Sequence, residues 1–187
     1  YRAGADGAAS WCETRRPMTR PRLVLAMHPG LEPFVFRRGR HQRLHELAHV
    51  LDDAALGSFD DPRADALLAE AEVLLTHWGA PLVDADVLDR APGLRLVAHG
   101  AGTVKGIVDP VVFERGIAVT SAAAANAVPV AEFTLAAILF ANKDVFGARE
   151  RDRAEPPEFP WFDRSSTVGN LAKRVGIIGA SHVGRLV

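Results

Sequence analysis

Two textures alternate along the chain. Short runs of consecutive apolar residues are separated by stretches in which apolar positions recur at helical spacing. Arg22 to Met27 (RLVLAM) is the first run, ended by His28-Pro29-Gly30. Consecutive apolar positions fit a strand covered on both faces, as in a parallel sheet. Residues 37 to 51 predict a helix. Residues 61 to 71 predict another, with Asp60 or Asp61 as N-cap and Pro62 in the first turn. Glu72 to Trp78 predicts a strand, and Asp84 to Arg90 a short helix closed by Pro92-Gly93. Leu94 to Ala98 predicts a strand that opens into His99-Gly100-Ala101-Gly102-Thr103, and Gly116 to Thr120 one more strand. Strands alternating with helices imply an α/β fold, a flavodoxin- or Rossmann-like parallel sheet with helices on both faces.

The texture changes after Ser121. Ala122 to Asn126 lead into Val128 to Val145, apolar on nearly every side and therefore expected to be buried between layers. Its most apolar part, Val128 to Phe140, carries Pro129 and Glu132 and is expected to be too short to span a bilayer. Residues 149 to 166 are charged and Pro-rich and predict a surface connection. Arg174 to Ala180 predicts a last strand. The division expected is a leader over 1–20, a first α/β unit over 21–121, and the truncated start of a second over 122–187. The leader reads as disordered, an upstream translation artefact with Met18 as the natural start. It has no apolar h-region and fits neither a signal nor a transit peptide.

Composition narrows the partners. Across 187 residues, 22 basic side chains face 23 acidic ones, a formal net charge of -1. No surplus of either sign points to nucleic acid or an acidic membrane surface, so a small-molecule ligand is expected. Cys12 is the single cysteine. It makes an internal disulfide impossible, carries no reactive reading, and fits a cytoplasmic location.

The chemistry is concentrated at one turn. Val175-Gly176-Ile177-Ile178 runs into Gly179-Ala180-Ser181-His182-Val183-Gly184. This is a dinucleotide fingerprint with Ser181 in place of the middle glycine. The first glycine permits the bend, the second lets the backbone approach a pyrophosphate, and the third lets helix and strand pack closely. Serine is small and can bond a phosphate oxygen itself. NAD is the expected cofactor, with NADP equally compatible with the turn.

Three stretches together resemble the D-isomer-specific 2-hydroxyacid dehydrogenases, the phosphoglycerate dehydrogenase-like group. They are LRLVAHGAGTVKGIVDP (94–110), RGIAVTSAAAANAVPVAEFTLAAIL (115–139) and KRVGIIGASHVGR (173–185). The resemblance implies a substrate domain over 21–121 and the beginning of an NAD(P)-binding domain from 122, with a cleft between them. It implies that Gly100, Ala101, Gly102 and Thr103 present N–H groups to a substrate carboxylate, with His99 beside them and Trp78 and Gly79 lining the same cleft. Asn126, Val130 and Glu132 match the segment on the nicotinamide side of the cofactor. Gly179, Ala180, Ser181, His182, Val183 and Gly184 match the pyrophosphate turn, with His182 where the family often has arginine. The family's catalytic arginine, glutamate and histidine lie beyond the fingerprint, so no catalytic residue is expected in this chain, which alone is expected to be inactive and poorly soluble. A homodimeric parent acting on a small 2-oxo or 2-hydroxy acid is implied, without membrane or nucleic-acid partners.

Plainer readings accompany several residues. His99 serves equally as a structural histidine at a strand end, Lys105 as a surface lysine, and Glu132 as a first-turn helix acid. His41, His45 and His49 recur every fourth residue, a spacing that suits metal ligands but also a solvated helix face; no metal is expected. A nucleotide-sensing, corepressor-like protein of the same fold is the rival from another class. A phospho-receiver is disfavoured, because His28-Pro29-Gly30 stands where an acidic pair would follow the first strand.

Overall fold

The computed structural model describes residues 20–154 and 168–187. The proposed leader, except for Arg20, lies outside the described residues, as do 155–166 of the proposed surface connection.

Five parallel strands form one sheet: β1 (Arg22–Ala26), β2 (His49–Val50), β3 (Val73–Thr76), β4 (Leu96–His99) and β5 (Ala118–Ser121), in the spatial order β2-β1-β3-β4-β5. That is the flavodoxin-like doubly wound order, and the expected fold class is what the structure shows. The intervening helices are α1 (Glu32–Val35), α2 (Arg40–Leu47), α3 (Ala64–Glu70), α4 (Ala85–Arg90) and α5 (Val111–Glu114). Leu23, Leu25 and Met27 face one side of the sheet, packed with Leu31, Val35, Phe36 and Leu44. Val24 and Ala26 face the other, packed with Leu68, Val87, Leu88 and Val112. Period-two alternation with both faces covered explains why β1 reads as a continuous apolar run.

Helix α4 begins as expected: the Asp84 carboxylate accepts from the Val87 N–H at 3.2 Å. Helix α3 does not begin at Asp60 or Asp61. Its N-cap is Arg63, and Asp61 instead accepts from the Arg63 N–H at 2.9 Å one step earlier, with Pro62 outside the helix. Such a side-chain-to-backbone bond competes with helical pairing and delays the helix. The helix expected over 37–51 is shortened to 40–47, because Ala48 turns extended and His49–Val50 pair with Arg22 and Leu23 as the edge strand. A two-residue strand has no alternation for a pattern to reveal.

Beyond Ser121 lie α6 (Ala123–Asn142), α7 (Val145–Ala154) and α8 (His182–Leu186). Helix α7 occupies part of the stretch expected to be only a connection. Helix α6 is not buried between layers: only Ala127 and Ala131 are buried, while Phe133 is 76% exposed. Helices α7 and α8 touch it, but no sheet among the described residues covers its remaining faces. The span judgement also changes. With 20 residues, α6 is long and apolar enough to cross a membrane by length and composition, properties it shares with core helices of soluble proteins. Residues 174–180 form no strand; Ile178 is fully exposed. A strand exists by pairing its N–H and C=O groups with a neighbour, and none is present among the described residues.

Candidate functional site

In doubly wound sheets, ligands bind beyond the carboxyl ends of the strands where the winding direction reverses. Here the reversal lies between β1 and β3. A cleft of about 340 Å³ opens there, lined by Met27 at the end of β1, His77 and Trp78 after β3, Gly100 and Ala101 after β4, Phe34 and Arg40 from the β1–β2 connection, and Asn126 of α6. Four residues expected from the sequence, Trp78, Gly100, Ala101 and Asn126, therefore meet in one place.

Two glycines are required by geometry. Gly79 has φ +72°, and a Cβ there would lie 2.7 Å from the Cβ of His28. A Cβ on Gly100 would lie 2.7 Å from Cδ2 of His77. Glycine is thus the residue that lets the chain pass the histidine ring. The Gly100 N–H donates to the Thr76 carbonyl at 2.8 Å, which removes it from the groups expected to face a substrate. The N–H groups of Ala101, Gly102 and Thr103 donate to no group among the described residues. The loop is held from behind, since the Ala122 N–H donates to the carbonyls of both His99 and Ala101 at 3.0 Å. Asn126 stands close to Gly102, its Nδ2 within 3.5 Å of where a Cβ would be.

The two histidines beneath this loop are buried. His99 pairs with Thr76 across the ladder, its Nδ1 2.9 Å from Oγ1. This is the structural position at a strand end. The Trp78 N–H donates to Nδ1 of His77 at 2.9 Å, which assigns the proton of neutral His77 to Nε2. Burial pushes both imidazoles below the ordinary histidine range; a bond to the Gly100 backbone partly opposes this at His77, and the neighbouring His77 adds to it at His99. Both rings are therefore neutral at pH 7. They support the loop without adding charge to the cleft. Trp78 is half exposed and its ring lies 6.5 Å from that of Phe34, with the Arg37 guanidinium 4.4 Å over Phe34. Lys105 is exposed.

His77, Phe34 and Arg40 were not singled out in the sequence. His77 had a readable signal, since it is the first residue past a buried strand and adjoins Trp78-Gly79. Phe34 and Arg40 follow the loop after β1, and only the strand order reveals that this loop borders the reversal.

The fingerprint lies elsewhere. Gly179, Ser181, Val183 and Gly184 line a concavity of about 490 Å³ together with Thr134 and Ile138 of α6. Gly179 has φ +97°, and a Cβ on Gly184 would run into the carbonyl of Gly179. The positive φ at Gly179 fits a tight bend, and the close approach at Gly184 leaves no room for a side chain. Ser181 caps α8 without a side-chain bond, so its hydroxyl is open to a ligand. Ala180 and His182 are exposed in the same turn, and Val130 and Glu132 are exposed on α6.

The model of the D-isomer specific 2-hydroxyacid dehydrogenase catalytic domain matches residues 42–182. The D-3-phosphoglycerate dehydrogenase of Mycobacterium bovis is 35% identical over 146 residues, 75% of this chain and 26% of that protein. A phosphoglycerate oxidoreductase from Rhizobium etli superposes with a TM-score of 0.65 at 22% identity, over 89% of this chain and 50% of that one. D-lactate dehydrogenase from Aquifex aeolicus, solved with NAD and lactic acid, superposes with a TM-score of 0.55 at 22% identity, over 88% and 46%. The chain thus spans about a quarter of the length of its curated relatives and about half that of the solved ones. The structural likeness fixes the fold, and the family match covers most of the chain from α2 to the fingerprint: this chain belongs to the D-isomer specific 2-hydroxyacid dehydrogenase family.

Proposed function

We propose that the protein containing this chain is an NAD(P)-dependent oxidoreductase that interconverts a small 2-oxo acid and the corresponding D-2-hydroxy acid. The observation that carries this reading is the row of N–H groups at Ala101, Gly102 and Thr103, which donate to no group among the described residues and follow the cleft from Ala101, the one of the three that lines it. Successive backbone N–H groups without internal partners form an anion-binding concavity, and a 2-oxo acid presents a carboxylate. Trp78 and Phe34 supply an apolar wall for the rest of a short substrate, and Arg40 adds positive charge to the cleft lining.

The turn at Gly179–Gly184 fits a dinucleotide pyrophosphate: its backbone passes where side chains are excluded at Gly179 and Gly184, and the Ser181 hydroxyl is open. NAD, when bound, supplies the hydride acceptor. Within this chain, Ala101 to Thr103 orient the acid, Asn126 borders the cleft from the α6 side, and neutral His77 keeps the Gly100 turn in place. The precedents include both cofactors, a lactate dehydrogenase solved with NAD and a glyoxylate/hydroxypyruvate reductase from Sinorhizobium meliloti solved with NADP. A cytoplasmic homodimer goes with this reading, α6 being covered by protein rather than lipid, for Pro129 and Glu132 interrupt its apolar surface.

The test is hydride transfer by the complete gene product, followed through nicotinamide absorbance with short D- and L-2-hydroxy acids. Turnover of a D-acid with NAD is expected. Tight NADH binding without turnover of any such acid would overturn the enzyme reading in favour of a nucleotide-sensing protein.

A further inference from the structure

Three potential metal ligands converge at the sheet edge. His41 and His45 are one turn apart on α2, and Asp53 follows the edge strand β2. Nε2 of His41 lies 3.1 Å and Nε2 of His45 2.8 Å from the same oxygen, Oδ1 of Asp53. The ligand atoms of the three all fall within 4.8 Å of one another. In a tetrahedral zinc site with bonds of about 2.0–2.1 Å, neighbouring ligand atoms stand roughly 3.3 Å apart. The two edges to Asp53 need to open by only a few tenths of an ångström, and the edge between the two imidazole nitrogens lies within 4.8 Å.

We propose that His41, His45 and Asp53 bind a divalent ion of the imidazole-preferring class, with zinc as the reference, leaving at least one position for water. Three observations carry the proposal. First, both rings present the same nitrogen to a single oxygen of Asp53, so the three donor groups converge on one point. Second, the ligands stand on supported backbone. Leu44, between the two histidines, packs into the apolar cluster on this face of the sheet. The edge of the His41 ring meets Phe36 at 5.9 Å. The connection bearing Asp53 is pinned by its neighbour Asp52, which accepts from the Ala54 N–H at 2.9 Å and pairs with Arg63 at 2.7 Å. Supported ligands lose little freedom on binding. Third, the donor set selects the metal: two imidazoles with one carboxylate suit zinc, nickel or copper rather than calcium or magnesium, which take oxygen ligands.

The third ligand is Asp53 and not His49, the residue that completes the every-fourth spacing in the sequence. His49 leaves the helix for β2. The ion would tie α2 to the connection after β2, at a strand of only two residues. Since Arg40, the first residue of α2, lines the cleft, the clamp also steadies one wall of that site.

The test uses the untagged chain, titrated with zinc by calorimetry and by thermal denaturation, and with cobalt by visible absorption. One equivalent of zinc is expected to bind and raise Tm, since an ion that binds only the folded state stabilises it. His41→Ala and His45→Ala are each expected to weaken binding by about 10–100-fold or more, at least the loss seen when groups supporting a metal ligand are removed. Asp53→Asn, which keeps the shape and loses the anionic ligand, is expected to weaken it too. His49→Ala is the control and is expected to bind as the parent does. Circular dichroism checks that each variant is folded. No stoichiometric binding at millimolar zinc, or binding equally tight in the His41 and His45 variants, would overturn the proposal.

Discussion

The sheet unit up to Ser121 and the segment from Ala123 onward are both strongly apolar, yet they end in opposite states. In the first, Leu25, Met27, Leu56, Leu68, Leu74 and Val97 are nearly or wholly excluded from solvent. In the second, Phe133, Leu139, Phe140, Val175, Ile177 and Ile178 are all exposed. Composition does not separate the two; the presence of neighbours does. In the sheet unit the runs of β1, β3 and β4 have strands beside them and helices over them, so burial and backbone pairing reinforce each other. In the second segment α8 packs on α6, but the stretch before the glycine turn has no strand to pair with among the described residues. Exposed apolar side chains in such number are what interfaces cover.

The largest contrast should appear on truncating core and exposed leucines. Leu74→Ala is expected to cost about 2–5 kcal/mol, as fully buried leucines do. Leu139→Ala, on the half-exposed face of α6, is expected to stay within about 0.5 kcal/mol. Urea denaturation midpoints at equal slope measure both. Equal losses would mean that α6 is packed in solution, and the comparison would break.

A smaller effect, about 1–3 kcal/mol, is expected from Gly100→Ala, because the added Cβ overpacks against the His77 ring. A second change, His77→Ala, should restore part of that loss, which a double-mutant cycle would read as coupling between neighbours. Gly184→Ala should leave the sheet's denaturation midpoint unchanged and weaken NADH binding, because the atom it meets is backbone and cannot swing aside.

Acid should act on the sheet unit as well. Native His77 and His99 resist protonation, whereas in the unfolded chain they titrate near the ordinary 6.5. Below that pH the unfolded state binds more protons, so stability falls as pH drops from about 6.5 toward the depressed native values and is flat above it. Denaturation at pH 7.5, 6.0 and 5.0 checks this, and His99→Gln should flatten the profile. The smallest effect on stability is expected from Phe133→Ser with Ile178→Ser. That pair should leave the denaturation midpoint within about 0.5 kcal/mol and reduce self-association measured by light scattering.

What the sequence disclosed follows the same division. The strands β1, β3 and β4 were legible within a few residues, because parallel strands covered on both faces leave apolar runs; β5, largely exposed, was legible as a short β-branched run after Gly116. The Gly100 loop and the Gly179 turn were legible because positive φ and close approach demand glycine. The edge strand β2 was not, being two residues inside a helical pattern, nor was α1, four residues beginning Glu32-Pro33. The exposure of α6 was illegible in principle, since apolarity states that a helix needs a cover without stating where the cover is. The Asp53 partner of the two α2 histidines was hidden for another reason: its nearness depends on the chain reversing at β2.

The central claim is that Ala101, Gly102 and Thr103 take the carboxylate of a 2-oxo acid. It is tested most directly by following the backbone amide resonances of the chain while titrating pyruvate, with pyruvamide as the uncharged control. The account predicts saturable shifts at those three amides with pyruvate, little change at the internally bonded Gly100 amide, and little response to pyruvamide. Shifts absent at all three, or equal with the two compounds, would contradict it.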